Sequence, residues 1–225
     1  MNNKKYRHEI KFLINKSSAT ILKERLLSIM DVDANGKEGY FIRSLYYDTP
    51  LSDAYYEKID GVEYRTKYRI RMYNGDDKFI RLEKKIKDND MTAKEQITIS
   101  KKELENILND KFSIYDVEDN LLKEFLIEIK TKHLMPSVIV DYDRFALTYP
   151  ISDVRVTFDY NIKSGKYDYN LFNYNNDYFE VIDDNMIVLE VKFNDMLPDT
   201  IRGVLTTIPS IRNAFSKFAI CRSVK

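Results

Sequence analysis

One cysteine, Cys221, in 225 residues leaves no intramolecular disulfide, and that usage fits a reducing compartment. The two histidines, His8 and His133, stand far apart, so neither a Cys/His metal cluster nor a Ser-His-Asp arrangement suggests itself. Glycine is scarce at six residues, and neither G-x-x-x-x-G-K-[ST] nor G-x-G-x-x-G occurs, which excludes a P-loop or a dinucleotide-binding loop. No run approaches the ~18 apolar residues of a membrane-spanning helix. No apolar signal core follows the polar, basic start from Met1 to Arg7. These absences predict a soluble, cytoplasmic protein. A charge excess is missing too, since 36 Lys and Arg balance 36 Asp and Glu. Any anion site must therefore come from local segregation of charge, and nucleic-acid binding through bulk charge is argued against.

What is present favours strands. The 17 Tyr and 12 Phe are strand formers, and 44% hydrophobic residues suffice for a core. From Lys5 to Ile14 apolar and polar residues alternate, with Tyr6, His8, Ile10, Phe12 and Ile14 on one face and Arg7, Glu9 and Lys11 on the other. Similar runs lie at residues 40–47, 63–73, 78–87, 92–99, 137–147, 154–160 and 186–193, with Asn74-Gly75-Asp76-Asp77 as a hairpin loop. Helices are expected at 19–30, with Ile21, Leu22, Leu26 and Ile29 inward, and at 51–58, 101–108 and 119–133. Ser100 and Glu103 form a capping-box pattern, Pro136 ends the helical region, and the tail from Pro198 to Arg222 suggests two short helices split at Pro209. The Tyr- and Asn-rich stretch from Tyr167 to Tyr178 has no readable period. With no repeat, linker or composition break, residues 1–225 are expected to form a single domain. Strands in hairpin order with inserted helices predict an α+β fold built on a closed antiparallel β-barrel with helices packed around it.

The polar strand faces carry the functional signal. They hold Lys67, Arg69 and Arg71; Arg81, Glu83, Lys85 and Lys87; Arg144; Arg155; and Glu190 with Lys192, opposite apolar partners. Polar alternation ordinarily marks the solvated outer face of an antiparallel sheet. Like charges on neighbouring strands repel, however. Several arginines facing one way suit a bound polyanion, because the guanidinium fork takes two phosphate oxygens at once. The acids Glu9, Glu83 and Glu190 are either counter-ions to these bases or ligands for Mg²⁺ or Mn²⁺, hard cations that share carboxylate and phosphate oxygens.

The segments RHEIKF (7–12), SLYYDT (44–49), YRIRMY (68–73), LEKKIK (82–87), YDRFALT (142–148), VRVTFD (154–159), VLEVKF (188–193) and FSKF (215–218) together resemble the polyphosphate polymerase (VTC) domain of the triphosphate tunnel metalloenzymes. The resemblance runs from about Tyr6 to Ala219 and implies a closed barrel with a basic tunnel. It implies that Lys11, Arg69, Arg71, Lys85, Arg144 and Arg155 hold phosphate oxygens, that Glu190 binds the metal, and that Lys192 lies beside it. It also implies that Ser216 and Lys217 lie near the reacting phosphate. Lys94 falls near a further family lysine. The E-x-E-x-K opening of the superfamily reads Arg7-His8-Glu9-Ile10-Lys11 here, with a base for the first acid, so the metal site leans on Glu190. The implied reaction is polyphosphate synthesis from ATP with Mn²⁺ or Mg²⁺, with Lys217, Lys192, Arg69 and Arg71 in the catalytic group. The alternatives are a tripolyphosphatase or nucleoside triphosphatase using the same tunnel, and a non-catalytic polyphosphate or nucleotide sensor. Moving polymer across a membrane would need a membrane partner protein.

Overall fold

The computed structural model describes residues 4–34, 36–209, 211–212 (backbone only) and 215–224. Its elements run β1 (Arg7–Asn15), α1 (Lys16–Leu27), β2 (Asp31–Val32), β3 (Tyr40–Asp48), α2 (Asp53–Ile59), β4 (Tyr64–Tyr73), β5 (Ile80–Asp88) and β6 (Met91–Ile99). They continue with α3 (Lys101–Leu108), α4 (Asn120–Lys132), β7 (Met135–Tyr149), β8 (Val154–Gly165), β9 (Phe179–Glu180), β10 (Met186–Phe193), α5 (Asp199–Leu205), β11 (Ile211–Arg212) and α6 (Lys217–Ser223).

Eight antiparallel strands close into a ring in the order β1, β10, β8, β7, β3, β4, β5, β6 and back to β1. The joints are long ladders except the last, where β1 meets β6 only at Arg7–Thr92 and His8–Met91. Beyond that seam β1 pairs with β11, at Phe12–Arg212 and Leu13–Ile211.

Alternation along each strand separates an outer from an inner face. The outer face is apolar and covered by helices. Under α1 and α5, Leu22, Leu26, Ile201 and Leu205 pack on Ile14, Val156, Phe158, Leu189 and Val191. Under α3 and α4, Leu104, Leu122, Phe125 and Leu126 pack on Leu45, Tyr68, Ile70 and Leu82. Each fully buried Leu or Phe contributes roughly 1.5–3 kcal/mol. A third cluster lies inside the ring at one end, where Phe218 and Cys221 of α6 meet Ile42, Tyr46, Val140, Tyr142 and Val188. Burial pushes the Cys221 thiol above its ordinary value, as expected of an inert packing group.

Local chemistry sets the helix ends. Asn15 caps α1, and Ser100 with Glu103 forms the expected capping box on α3. Asp119 caps α4, which ends where His133 turns left-handed at φ 55°. Pro136 does not end that helical region; it lies inside β7, opposite Tyr47. Ile21 is 48% exposed rather than inward, because α1 lies on the ring through Ala19, Leu22 and Leu26. The second tail helix begins only at Lys217, since Ile211 and Arg212 are drawn into pairing with β1.

The stretch from Tyr167 to Tyr178 covers a buried ion pair on the outer face. Arg43 of β3 donates to Asp141 of β7 at 2.6 and 2.9 Å, and its guanidinium lies 4.1 Å from the Tyr174 ring and 4.8 Å from the Tyr178 ring. Asp168 holds the cover together by accepting from Asn176 and Tyr178. Among the described residues no helix is long and apolar enough to cross a membrane.

Candidate functional site

The charged strand faces are not solvated surface. Cross-strand register puts Glu9, Lys11, Glu190, Lys192, Arg155, Asp159, Arg144, Arg71, Arg69, Lys67, Glu83, Lys85 and Lys94 on the same, inner face of the ring. Side chains from strands that are not neighbours meet there. Lys85 of β5 reaches Glu9 of β1 at 2.7 Å, past β6. Arg71 of β4 donates to the Tyr142 hydroxyl of β7 at 2.9 Å, past β3. Such contacts require an enclosed interior.

Three knots of charge fill it. In the first, Glu9 meets Lys85 at 2.7 Å, Lys11 at 3.1 Å and Lys192 at 4.0 Å, while Lys192 also meets Glu190 at 2.6 Å. Burial and Glu190 push the Glu9 carboxyl up, but Lys85, Lys11 and Lys192 outweigh them and hold it below the usual carboxylate range. Burial opposes ionisation of Glu190 as well, and Lys192, Lys11 and Lys217 overcome it. In the second knot Glu83, fully buried, meets Arg69 at 2.5 Å, Lys94 at 3.1 Å and Arg71 at 3.7 Å. The Tyr46 hydroxyl accepts from Arg69, and the Ser44 hydroxyl accepts from Arg71, which fixes both forks. In the third, Asp159 accepts from Arg144 at 2.6 and 2.8 Å and lies 2.5 Å from Lys217 of α6.

Cations outnumber carboxylates in all this. Glu9 and Glu83 each serve three, and Asp159 serves two. The surplus falls on lysines. Burial lowers Lys85 to about 8 against the pull of Glu9, and Lys94 to about 8 against the pull of Glu83. An enclosed space lined by surplus cations attracts a polyanion, and the fixed arginine forks suit phosphate oxygens.

The predicted residues are thus brought together, with differences of position. Arg155 sits at one mouth of the ring, bonded to Asp33 at 2.7 Å and to the Tyr40 hydroxyl at 2.9 Å. Ser216 caps α6 by accepting from the Ala219 amide, and Lys11 donates to the Phe215 carbonyl, tying that cap to the interior. Glu83 lies in the arginine knot, apart from Glu9 and Glu190. Sequence reasoning missed Asp159, Tyr46, Tyr142 and Thr157. The inward parity of VRVTFD carried the signal for Asp159 and Thr157. The Thr157 hydroxyl is buried opposite Glu190 and has no hydrogen-bond partner among the described residues. No group of three or more His, Cys, Asp or Glu side chains gathers in metal-binding geometry among the described residues.

The family model of the VTC domain matches residues 6–224. Among solved structures, a candidate adenylyl cyclase from Hippeastrum, described as having a dominant triphosphatase activity, superposes with a TM-score of 0.54 at 15% identity, over 96% of this chain and 95% of that one. A candidate adenylate cyclase from Bacillus halodurans gives a TM-score of 0.52 at 13% identity, over 90% and 87%. At these identities the likeness is one of fold. No curated protein matches the sequence.

Proposed function

The chain belongs to the VTC domain family, and from that premise we propose that it is a cytoplasmic polyphosphate polymerase that adds the γ-phosphoryl group of ATP to a polyphosphate held in the ring. The observation that carries this reading is the inward-facing surplus of cations, arranged around carboxylates too few to neutralise them.

In this reading an oxygen of the terminal chain phosphate attacks the γ-phosphorus. The bond from that phosphorus to the β–γ bridging oxygen breaks, and ADP leaves. No side chain has to act as base, because the attacking phosphate is already anionic. Catalysis is then positioning and charge neutralisation. Arg69 and Arg71 clamp phosphate oxygens with forks pre-set by Tyr46, Ser44, Tyr142 and Glu83. Lys217, held by Asp159, and Lys192 face the transferred group, with Lys11, Lys85, Arg144 and Arg155 along the chain. Ser216 keeps its hydroxyl proton free to donate while its oxygen caps α6.

Glu190 and Glu9, on the paired strands β10 and β1, offer one or two carboxylates. That number fits Mg²⁺ or Mn²⁺ when phosphate oxygens complete the coordination. The ion would neutralise and align the phosphates. Glu83, surrounded by Arg69, Arg71 and Lys94, we assign to positioning rather than to the metal. Hydrolysis of tripolyphosphate or a nucleoside triphosphate is the second reading, favoured by the triphosphatase activity described for the Hippeastrum protein.

Incubation with ATP and Mn²⁺ followed by product analysis decides between them. Chain growth supports the polymerase, and orthophosphate alone supports the hydrolase. No turnover combined with tight binding would leave a sensor. The Arg69→Ala/Arg71→Ala double variant should be inactive in either assay.

A further inference from the structure

Some cations at the ring have no carboxylate within ion-pair distance among the described residues. Lys67 of β4 faces inward, and its Nζ lies 4.5 Å from the centre of the Phe218 ring rather than on an acid. Arg65 and Lys87 are directly opposed on β4 and β5, one step nearer the end of the ring than the Lys67–Lys85 pair. Lys58 of α2 completes the group, and none of these four forms an ion pair among the described residues. They repel one another. Burial, then Arg65, Lys85, Lys58 and Lys11, push Lys67 down to about 7. Burial is likewise the main cause that lowers Lys58, Arg65 and Lys87. Glu9, Glu57, Asp48 and Asp90 act on the group only from beyond ion-pair distance.

The contrast with the interior is instructive. There Glu9, Glu83 and Asp159 hold the bases in place and lessen the strain of the empty ring. Here like charges are left facing one another across adjacent strands, which is destabilising unless something anionic joins them. Helix α6 fills the β3, β7 and β8 side of this end through Phe218 against Tyr46 and the Ser164 hydroxyl donating to the Cys221 carbonyl. The four cations line the β4 and β5 side. Arg65 and Lys87 lie two residues on from Lys67 and Lys85, ~7 Å along each strand.

We propose that Lys58, Arg65, Lys67 and Lys87 form a second anion subsite, continuous with the interior, that holds the phosphates of a linear polyphosphate beyond those a tripolyphosphate can supply. The site therefore selects long chains. This rests on the phosphate-binding reading of the ring and adds a chain-length preference to it. A flexible linear polyanion can follow such a ladder of paired bases, and each contact adds a salt-dependent increment.

The test measures binding of tripolyphosphate and of a long-chain polyphosphate to the wild-type chain, to Lys58→Gln/Lys87→Gln, and to the four-fold variant with Arg65→Gln and Lys67→Gln added. The wild type should prefer the long chain by about tenfold or more. The double variant should bind tripolyphosphate as the wild type does, and both variants should lose most of that preference, with a shallower salt dependence. Removing mutually repelling charges should leave folding intact, and the milder double variant guards against the case where it does not. Equal preference in wild type and variants, or no preference in the wild type, overturns the inference while leaving the interior site standing. If the wild type binds neither anion, both readings fall. If a short single-stranded DNA competes as well as polyphosphate does, the site is a general polyanion surface and the proposal is wrong.

Discussion

Lys217 Nζ lies 2.5 Å from Asp159 Oδ2, so the first residue of α6 is pinned to the floor of the ring by a fully buried carboxylate that also holds Arg144. Lys217→Ala leaves Asp159 with Arg144 alone, which should cost roughly 1–3 kcal/mol of stability. Turnover should fall by about two orders of magnitude or more. Adding Asp159→Asn should lower the melting temperature further without restoring turnover, because the buried Arg144 then loses the carboxylate it bonds through two nitrogens. Thermal melts and single-time-point assays on the two variants separate anchoring from catalysis. Wild-type turnover in Lys217→Ala would remove Lys217 from the mechanism.

Thr157 supplies a second prediction. Its buried hydroxyl, opposite Glu190, lacks a partner among the described residues. Thr157→Val should leave the empty protein as stable or up to about 1 kcal/mol more stable, since an unsatisfied group disappears. If bound phosphate normally satisfies that hydroxyl, the same variant should weaken tripolyphosphate binding several-fold, by about 1 kcal/mol, while Thr157→Ser retains it. Isothermal titration of the three proteins reads this directly, and unchanged affinity in Thr157→Val would show the hydroxyl to be idle.

Protons should move with the ligand. In the empty ring Lys67 sits at about 7, and Lys85 and Lys94 at about 8, against an ordinary 10.5. A lysine lowered by folding binds fewer protons in the folded than in the unfolded chain between those values. Stability of the empty protein should therefore gain from these groups as pH rises from about 7 towards 10. A bound polyanion favours the charged forms. Binding near pH 8 should take up protons, and affinity should fall as pH rises above 8. Calorimetry in buffers of different ionisation enthalpy measures the uptake. An enthalpy independent of buffer would contradict it.

The outer-face pair predicts the opposite pattern. Arg43→Ala strands the buried Asp141 and removes the guanidinium under Tyr174 and Tyr178. It should cost roughly 3–5 kcal/mol, about 6–20 °C in melting temperature. Affinity for tripolyphosphate in the surviving folded protein should not change, because this pair lies outside the ring. A selective loss of affinity without loss of stability would place Arg43 in the site instead.

Much of this is legible in the sequence. Alternation in residues 7–14, 67–73 and 80–87 marked the strands and collected the bases on one side of each. Period two distinguishes two faces but does not say which one closes on itself. Solvated sheet and enclosed ring differ only through joints such as Lys85 to Glu9, 76 residues apart. Ion-pair partners were hidden for the same reason: Asp159 looked like one acid in a strand until Arg144 and Lys217 arrived from other elements. The stretch from Tyr167 to Tyr178 has no period because its order comes from the Arg43–Asp141 pair beneath it and from the bonds Asp168 accepts.

The joint between β1 and β6 spans two residue pairs, whereas every other joint of the ring is a longer ladder. A hoop with one short clasp can change its girth without tearing a long seam. Widening the interior for a thicker, hydrated guest asks the backbone to release only the contacts at Arg7–Thr92 and His8–Met91. The amides of that clasp should then be the first in the ring to exchange with solvent, while those of β7 and β8 are among the last.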